Sequence, residues 1–146
     1  MMRNLQERPE IPSIQNEIGS KEIEAFQNAT LRPIIKQLHP LLLAHFSTFL
    51  LKKKGQFFKI AQDQRGNYIH SIFQKELRYK SELKGMIIGN FTEKEFEYYS
   101  MISSQIDKRI YSIVEERILT NQQELQDLRP SSRRHYERQS TNKNDI

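Results

Sequence analysis

The sequence predicts an all-α protein: an antiparallel bundle of three long helices with one or two short ones, flanked by disordered termini. Apolar residues recur every three or four positions in three separate segments, the period of a helix with one buried face. No alternation of apolar and polar residues runs long enough to suggest a strand. The third observation is Lys84-Gly85-Met86-Ile87-Ile88-Gly89-Asn90-Phe91-Thr92 followed by Glu93-Lys94-Glu95, which ends one helical pattern and starts another. Gly85 and Gly89 fall on one helix face, where they let a neighbouring backbone approach. Thr92 and Glu95 have the spacing of a capping box, and Phe91 and Phe96 that of a hydrophobic staple.

Three segments divide the chain. Residues 1–19 mix charge, amides and the helix-discouraging Pro9 and Pro12, and Gly19-Ser20 reads as a boundary, so a flexible arm is expected. Residues 20–128 form the bundle. A short amphipathic piece carries Ile23, Phe26 and Ala29. Thr30 then reads as a helix cap with Pro33 in the first turn, opening a helix that runs to Lys53. Leu31, Ile34, Ile35, Leu38, Leu42, Leu43, Phe46, Phe49 and Leu50 are spaced for burial along it. Pro40 bends or divides that helix near residues 37–39. Lys52, Lys53 and Lys54 complement its dipole, and Gly55 is the expected C′ residue.

After the apolar connector Phe57, Phe58, Ile60 and Ala61, a second helix is expected from residues 63–67 to Gly89. Its buried stripe takes in Tyr68, Ile69, Ile72, Phe73, Leu77, Leu83, Met86 and Ile87, weakened at Glu76 and Lys80. The last helix begins after Thr92 with a seam of Phe96, Tyr99, Ser103, Ile106, Ile110, Ile113 and Arg117, widened by Ile102, Val114 and Ile118. Continued to Leu128 it is about 50 Å long, so its end is expected to project or to pair with a second copy. Residues 129–146 read as a disordered basic tail.

Composition narrows the chemistry. At 146 residues the chain can bury one core. With no cysteine it has no disulfide, thiolate metal site or cysteine nucleophile. The first residues lack the apolar stretch of a signal peptide. The most apolar run, residues 41–51, has 11 residues, against roughly 20 for a membrane span. A cytoplasmic protein off the membrane is expected. His39, His45, His70 and His135 form no recognisable ligand motif, and no Asp or Glu stands at a spacing that orients them. No phosphate loop or nucleophile elbow occurs, so no catalytic, metal or cofactor site is predicted.

The basic residues are the most informative polar feature. Residues 52–84 carry Lys52, Lys53, Lys54, Lys59, Arg65, Lys75, Arg78, Lys80 and Lys84 against only Asp63, Glu76 and Glu82, while the whole chain is at +5. On one face these side chains can neutralise several phosphates. Arg133, Arg134 and Arg138 around Tyr136 add an arm able to contact and stack on nucleic acid.

Asn28-Ala29-Thr30-Leu31-Arg32-Pro33-Ile34-Ile35-Lys36, the hairpin stretch 84–92, Arg65-x-x-Tyr68-Ile69 and Asp107-Lys108-Arg109-Ile110 resemble a family of small bacterial helical proteins. Its members are often named "glyoxalase". The resemblance spans about residues 25–120 and implies the helical fold. Through the name it implies turnover of methylglyoxal with glutathione, and it assigns no catalytic residue. Three functions are therefore expected, in this order. The first is a non-enzymatic interaction or scaffold protein with a protein partner or a second copy, the next an RNA- or ribosome-associated basic protein, and the last a glyoxalase.

Overall fold

The computed structural model describes residues 12–128, with side chains from residue 19. Regular structure among the described residues is entirely helical. α1 (Pro12–Phe26) passes through a π-helical turn, Gln27–Leu31, into α2 (Arg32–Gln37) without leaving helical dihedrals. Gly19 and Ser20 thus lie inside a helix and mark no boundary, and the part of the expected arm from Pro12 onward is helical. Proline at a first helical position loses only an N–H that has no ladder partner there. Thr30 does not cap. It sits buried in the π-helical turn, and its hydroxyl donates to Glu95 Oε2 at 3.1 Å.

The chain turns at Leu38 (φ −87°, ψ 6°), where the rod 19–37 and α3 (His39–Lys52) meet at 67°. Pro40 lies in the first turn of α3. The expected helix is thus divided at residues 37–39, as the sequence predicts, with the proline in the first turn of the second piece, where it is tolerated. Leu31, Ile35, Leu42, Leu43, Phe46 and Leu50 are buried as the spacing predicts. No single helix among the described residues is long and apolar enough to cross a membrane.

α3 ends in a Schellman motif: Lys54 N–H donates to the Leu51 carbonyl at 2.9 Å and Gly55 N–H to the Leu50 carbonyl at 3.0 Å. The C′ residue is Lys54, at φ 64°, and Gly55 follows at φ 63°. Two 3₁₀ turns, Gln56–Phe58 and Gln62–Gln64, lead on. Arg65 secures them by donating to the carbonyls of Phe57 and Phe58 and stacking over the Phe57 ring.

The expected second helix is two. α4 (Arg65–Lys75) and α5 (Leu77–Ile88) are separated by non-helical Glu76 (φ −91°, ψ 89°). The break shifts the register, so Leu77 is turned out at 72% exposure and Tyr79 takes the core position at 1%. Tyr79 packs against Phe46, Phe49 and Phe73. The buried face of α5 is then Tyr79, Leu83 and Ile87. Gly85 falls on the opposite face with open space before it, and the nearest atom to a side chain at Gly89 is the Gly85 carbonyl of the same helix. No neighbouring backbone approaches there, contrary to the expected close packing.

The capping box of Thr92 and Glu95 is present at the start of α6 (Glu93–Met101). Phe91 packs on Phe26 and Tyr99, while Phe96 is half exposed and meets Tyr99. The projected 50-Å rod is instead three pieces: α6, α7 (Ser103–Thr120) and α8 (Gln122–Asp127), broken at Ile102 and Asn121. Its end folds back on α3. Leu125 is fully buried, Ser47 Oγ donates to the Leu128 carbonyl and Arg65 donates to Gln126. The expected projecting end is therefore not seen among the described residues: it packs on α3.

α7 is the centre. Ile106, Ile110, Val114 and Ile118 are buried along it, and α4, α5, α6 and the π-helical turn pack on it. His70 meets Glu115, Lys80 lies over Tyr111 and Lys84 meets Asp107, so α4 and α5 run antiparallel to α7.

Left-handed backbone costs an L side chain roughly 1 kcal/mol or more, part of which glycine returns through unfolded-state entropy. Lys54→Gly is therefore predicted to stabilise the protein by about 0.5–1 kcal/mol, read as a higher urea midpoint with unchanged slope.

Candidate basic groove between the N-terminal rod and the central helix

The feature with the clearest chemistry is a groove between the π-helical turn with α2 and the edge of α7. Two hollows meet there, of 610 and 370 Å³, sharing Arg32 and Ile113 in their walls. Gln27, Asn28 and Lys36 line it from the N-terminal rod, and Arg109, Ser112, Glu116 and Arg117 from α7. The local folding explains the placement. Burial of Phe26, Thr30, Leu31 and Ile35 leaves Arg32 and Lys36 one turn apart on the outer side. Burial of Ile106, Ile110, Val114 and Ile118 leaves Arg109, Ile113 and Arg117, four residues apart, along the flank of α7.

Neutral acceptors tether the three arginines. Arg109 donates to Gln27 Oε1 at 2.6 Å, Arg32 to Asn28 Oδ1 at 3.2 Å and Arg117 to His39 Nδ1 at 3.1 Å. Arginine has no acceptor, so His39 Nδ1 accepts, and its Nε2–H donates to Glu124 at 3.1 Å. Among the described residues none of the three arginines, nor Lys36, forms an ion pair with a carboxylate. The arginines are held in place and stay unpaired, with Glu116 as the one carboxylate among the lining residues.

The lysine-rich stretch behaves differently. Lys53 pairs with Glu76 at 3.2 Å, Arg78 with Glu82 at 3.3 Å and Lys84 with Asp107 at 3.2 Å. Lys80 lies 5.1 Å from the Tyr111 ring centre, and Arg65 is committed to the connector. Lys52, Lys53 and Arg78 come together around one hollow between α3 and α5. Lys54, Lys59 and Lys75 are exposed. Arg133, Arg134, Tyr136 and Arg138 lie outside the described residues.

Histidine–glutamate bridges were invisible in the sequence. His39–Glu124, His45–Glu82 and His70–Glu115 each join two different helices, across 85, 37 and 45 residues. The groove arginines escaped for the same reason: Arg32 and Arg109 belong to different helices, and no sequence window holds both. The usable signal was the i, i+4, i+8 row Arg109, Ile113, Arg117 beside the buried ridge.

Asp107 accepts from Tyr99 at 2.6 Å and from Lys84 at 3.2 Å. Burial first, and then the Asp107 bond, pushes the Tyr99 hydroxyl far above its ordinary range. No three His, Asp or Glu side chains among the described residues are placed to hold a metal ion. No protein-family model matches the chain, and no curated protein or solved structure does either.

Glu82, on α5 and outside the groove, has a pH signature of its own. Its bond to His45 at 2.9 Å, helped by Arg78, holds the carboxyl below the ordinary 4.5. A lowered pKa contributes stability above the unfolded-state value, and the contribution is lost as pH falls through the folded one. Glu82→Gln is predicted to be less stable than the parent at neutral pH and to lose less stability on acidification below pH 4.5, measured by urea denaturation across a pH series.

Proposed function

We propose that this is a non-catalytic, cytoplasmic interaction protein that holds an acidic segment of a protein partner in the groove between α2 and α7. In this reading its broken helices pack as three long antiparallel rods. The observation that supports it is the contrast between the two sets of cations. Lys53, Arg78 and Lys84 face carboxylates of their own chain, whereas Arg32, Arg109 and Arg117 are fixed by Gln27, Asn28 and His39 and keep their charge for a ligand. Planar guanidinium groups held in place suit carboxylates, which accept two parallel bonds. Side chains already immobilised lose little further entropy on binding.

An RNA partner is the second reading, because the same arginines accept phosphate oxygens and exposed Lys54, Lys59 and Lys75 extend the positive field. Co-purification from native cytosol, with and without nuclease, tests both using the parent protein and an Arg32→Glu/Arg109→Glu variant. A discrete protein that survives nuclease and binds the variant about a hundredfold more weakly is the predicted result. Nuclease-sensitive recovery that falls steeply with salt would transfer the groove to RNA. Equal recovery by parent and variant would remove the groove from the account.

A further inference from the structure

We infer that the groove between α2 and α7 reads an extended segment of a partner protein in which two acidic residues flank an apolar one at alternate positions: acidic, any, apolar, any, acidic. The inference rests on the reading of the groove as a seat for an acidic protein segment, and it adds the pattern of that segment.

The spacing comes from α7, which runs unbroken from Ser103 to Thr120. Arg109, Ile113 and Arg117 stand four residues apart on it, so they follow one another in steps of about 6 Å. Half-buried Ile113 lines both hollows, Arg109 the first and Arg117 the second. Along its length the groove is thus cationic, apolar and cationic. On an extended chain, side chains two residues apart share a face and lie about 6.6–6.8 Å apart. The first, third and fifth side chains of such a segment therefore meet Arg109, Ile113 and Arg117 almost in register.

Each arginine commits one N–H to its tether and has others left for a carboxylate, so the side chains can bind where they stand. The neutral wall groups favour an extended ligand over a helical one. An extended segment carries backbone N–H and C=O groups that need partners, whereas a helix has satisfied most of its own. Gln27 Nε2, Asn28 Nδ2 and the Ser112 hydroxyl stand on the walls with no hydrogen-bond partner among the described residues, and they can donate to such carbonyls. The two ends of the groove differ. Lys36 joins Arg32 and Arg117 in the second hollow, which no carboxylate lines, whereas Glu116 stands with Arg109 in the first. The acidic residue at the Arg117 end therefore contributes more to binding.

The test is a ¹H–¹⁵N NMR titration of the full chain with synthetic peptides capped at both ends. Glu-Ser-Leu-Ser-Glu is compared with Glu-Leu-Ser-Ser-Glu, whose apolar residue is out of register, with Glu-Ser-Ser-Ser-Glu, and with decaglutamate as a measure of charge alone. A further peptide spaces the same two glutamates and leucine four residues apart, as a helical ligand would. Glu-Ser-Leu-Ser-Glu is expected to bind about tenfold more tightly than either charge-matched control, with shifts along residues 27–36 and 109–117. Ile113→Thr should erase that preference and keep decaglutamate binding. Lys36→Gln, at an exposed position, should weaken Glu-Ser-Leu-Ser-Glu about threefold. Equal affinity for the charge-matched peptides, an undiminished preference in Ile113→Thr, or parent affinity in Lys36→Gln overturns the pattern while the acidic groove stands. Tighter binding of the helix-spaced peptide overturns the extended register. No binding by any peptide, decaglutamate included, overturns this inference and the reading of the groove together.

Discussion

The ridge of Ile106, Ile110, Val114 and Ile118 on α7 fixes where α4, α5, α6 and the π-helical turn can go. All four side chains are essentially fully buried. Burying each contributes on the order of 1.5–3 kcal/mol, a large fraction of what a domain this size retains as net stability. Because their spacing is four, the ridge sets the rotation of α7 about its axis. Once that rotation is fixed, Asp107 must face Tyr99 and Lys84, Glu115 must face His70, and Arg109, Ile113 and Arg117 must line the flank toward the N-terminal rod. The groove is a by-product of how α7 is buried.

Its charge is a by-product of the π-helical turn. Widening the rod at Gln27–Leu31 holds Thr30 against Glu95 and Gln27 against Arg109. Glu95 is already committed to the Thr92 N–H through the capping box, so one carboxylate ties the turn, the hairpin and α6 together. Single π-helical turns recur at functional sites, and here the turn presents Gln27 and Asn28, neutral partners that position arginines without neutralising them. An exposed ion pair such as Arg78–Glu82 gains little, because water screens both charges. Uncompensated arginines are therefore a better guide to a binding surface than local charge density.

Local signals in the sequence carried well. The all-helical class, the Thr92–Glu95 box, the bend near Leu38 and most of the apolar positions follow from period, capping and proline chemistry, which act within a few residues. Failures came where tertiary packing chose between local options. Nothing local distinguishes a continuous helix from one broken at Glu76, Ile102 or Asn121, and those breaks decide that Leu77 is exposed, Tyr79 buried and Leu125 folded back. Gly85 and Gly89 satisfied the spacing of a packing face, but Tyr79, Leu83 and Ile87 claimed the opposite side. The candidate site was least legible, because Arg32, Lys36, Arg109 and Arg117 converge only after the rod and α7 are packed. Conspicuous Lys53, Arg78 and Lys84 turned out to have carboxylate partners.

The most direct test of the central claim is a chemical-shift map of the ¹⁵N-labelled protein titrated with an acidic peptide of about ten glutamates, a length at which repeated carboxylates can follow a groove. Perturbations concentrated on residues 27–36 and 109–117, saturating together and weakening with salt, are the predicted result. Perturbations concentrated on residues 52–84 with the groove silent would contradict the account.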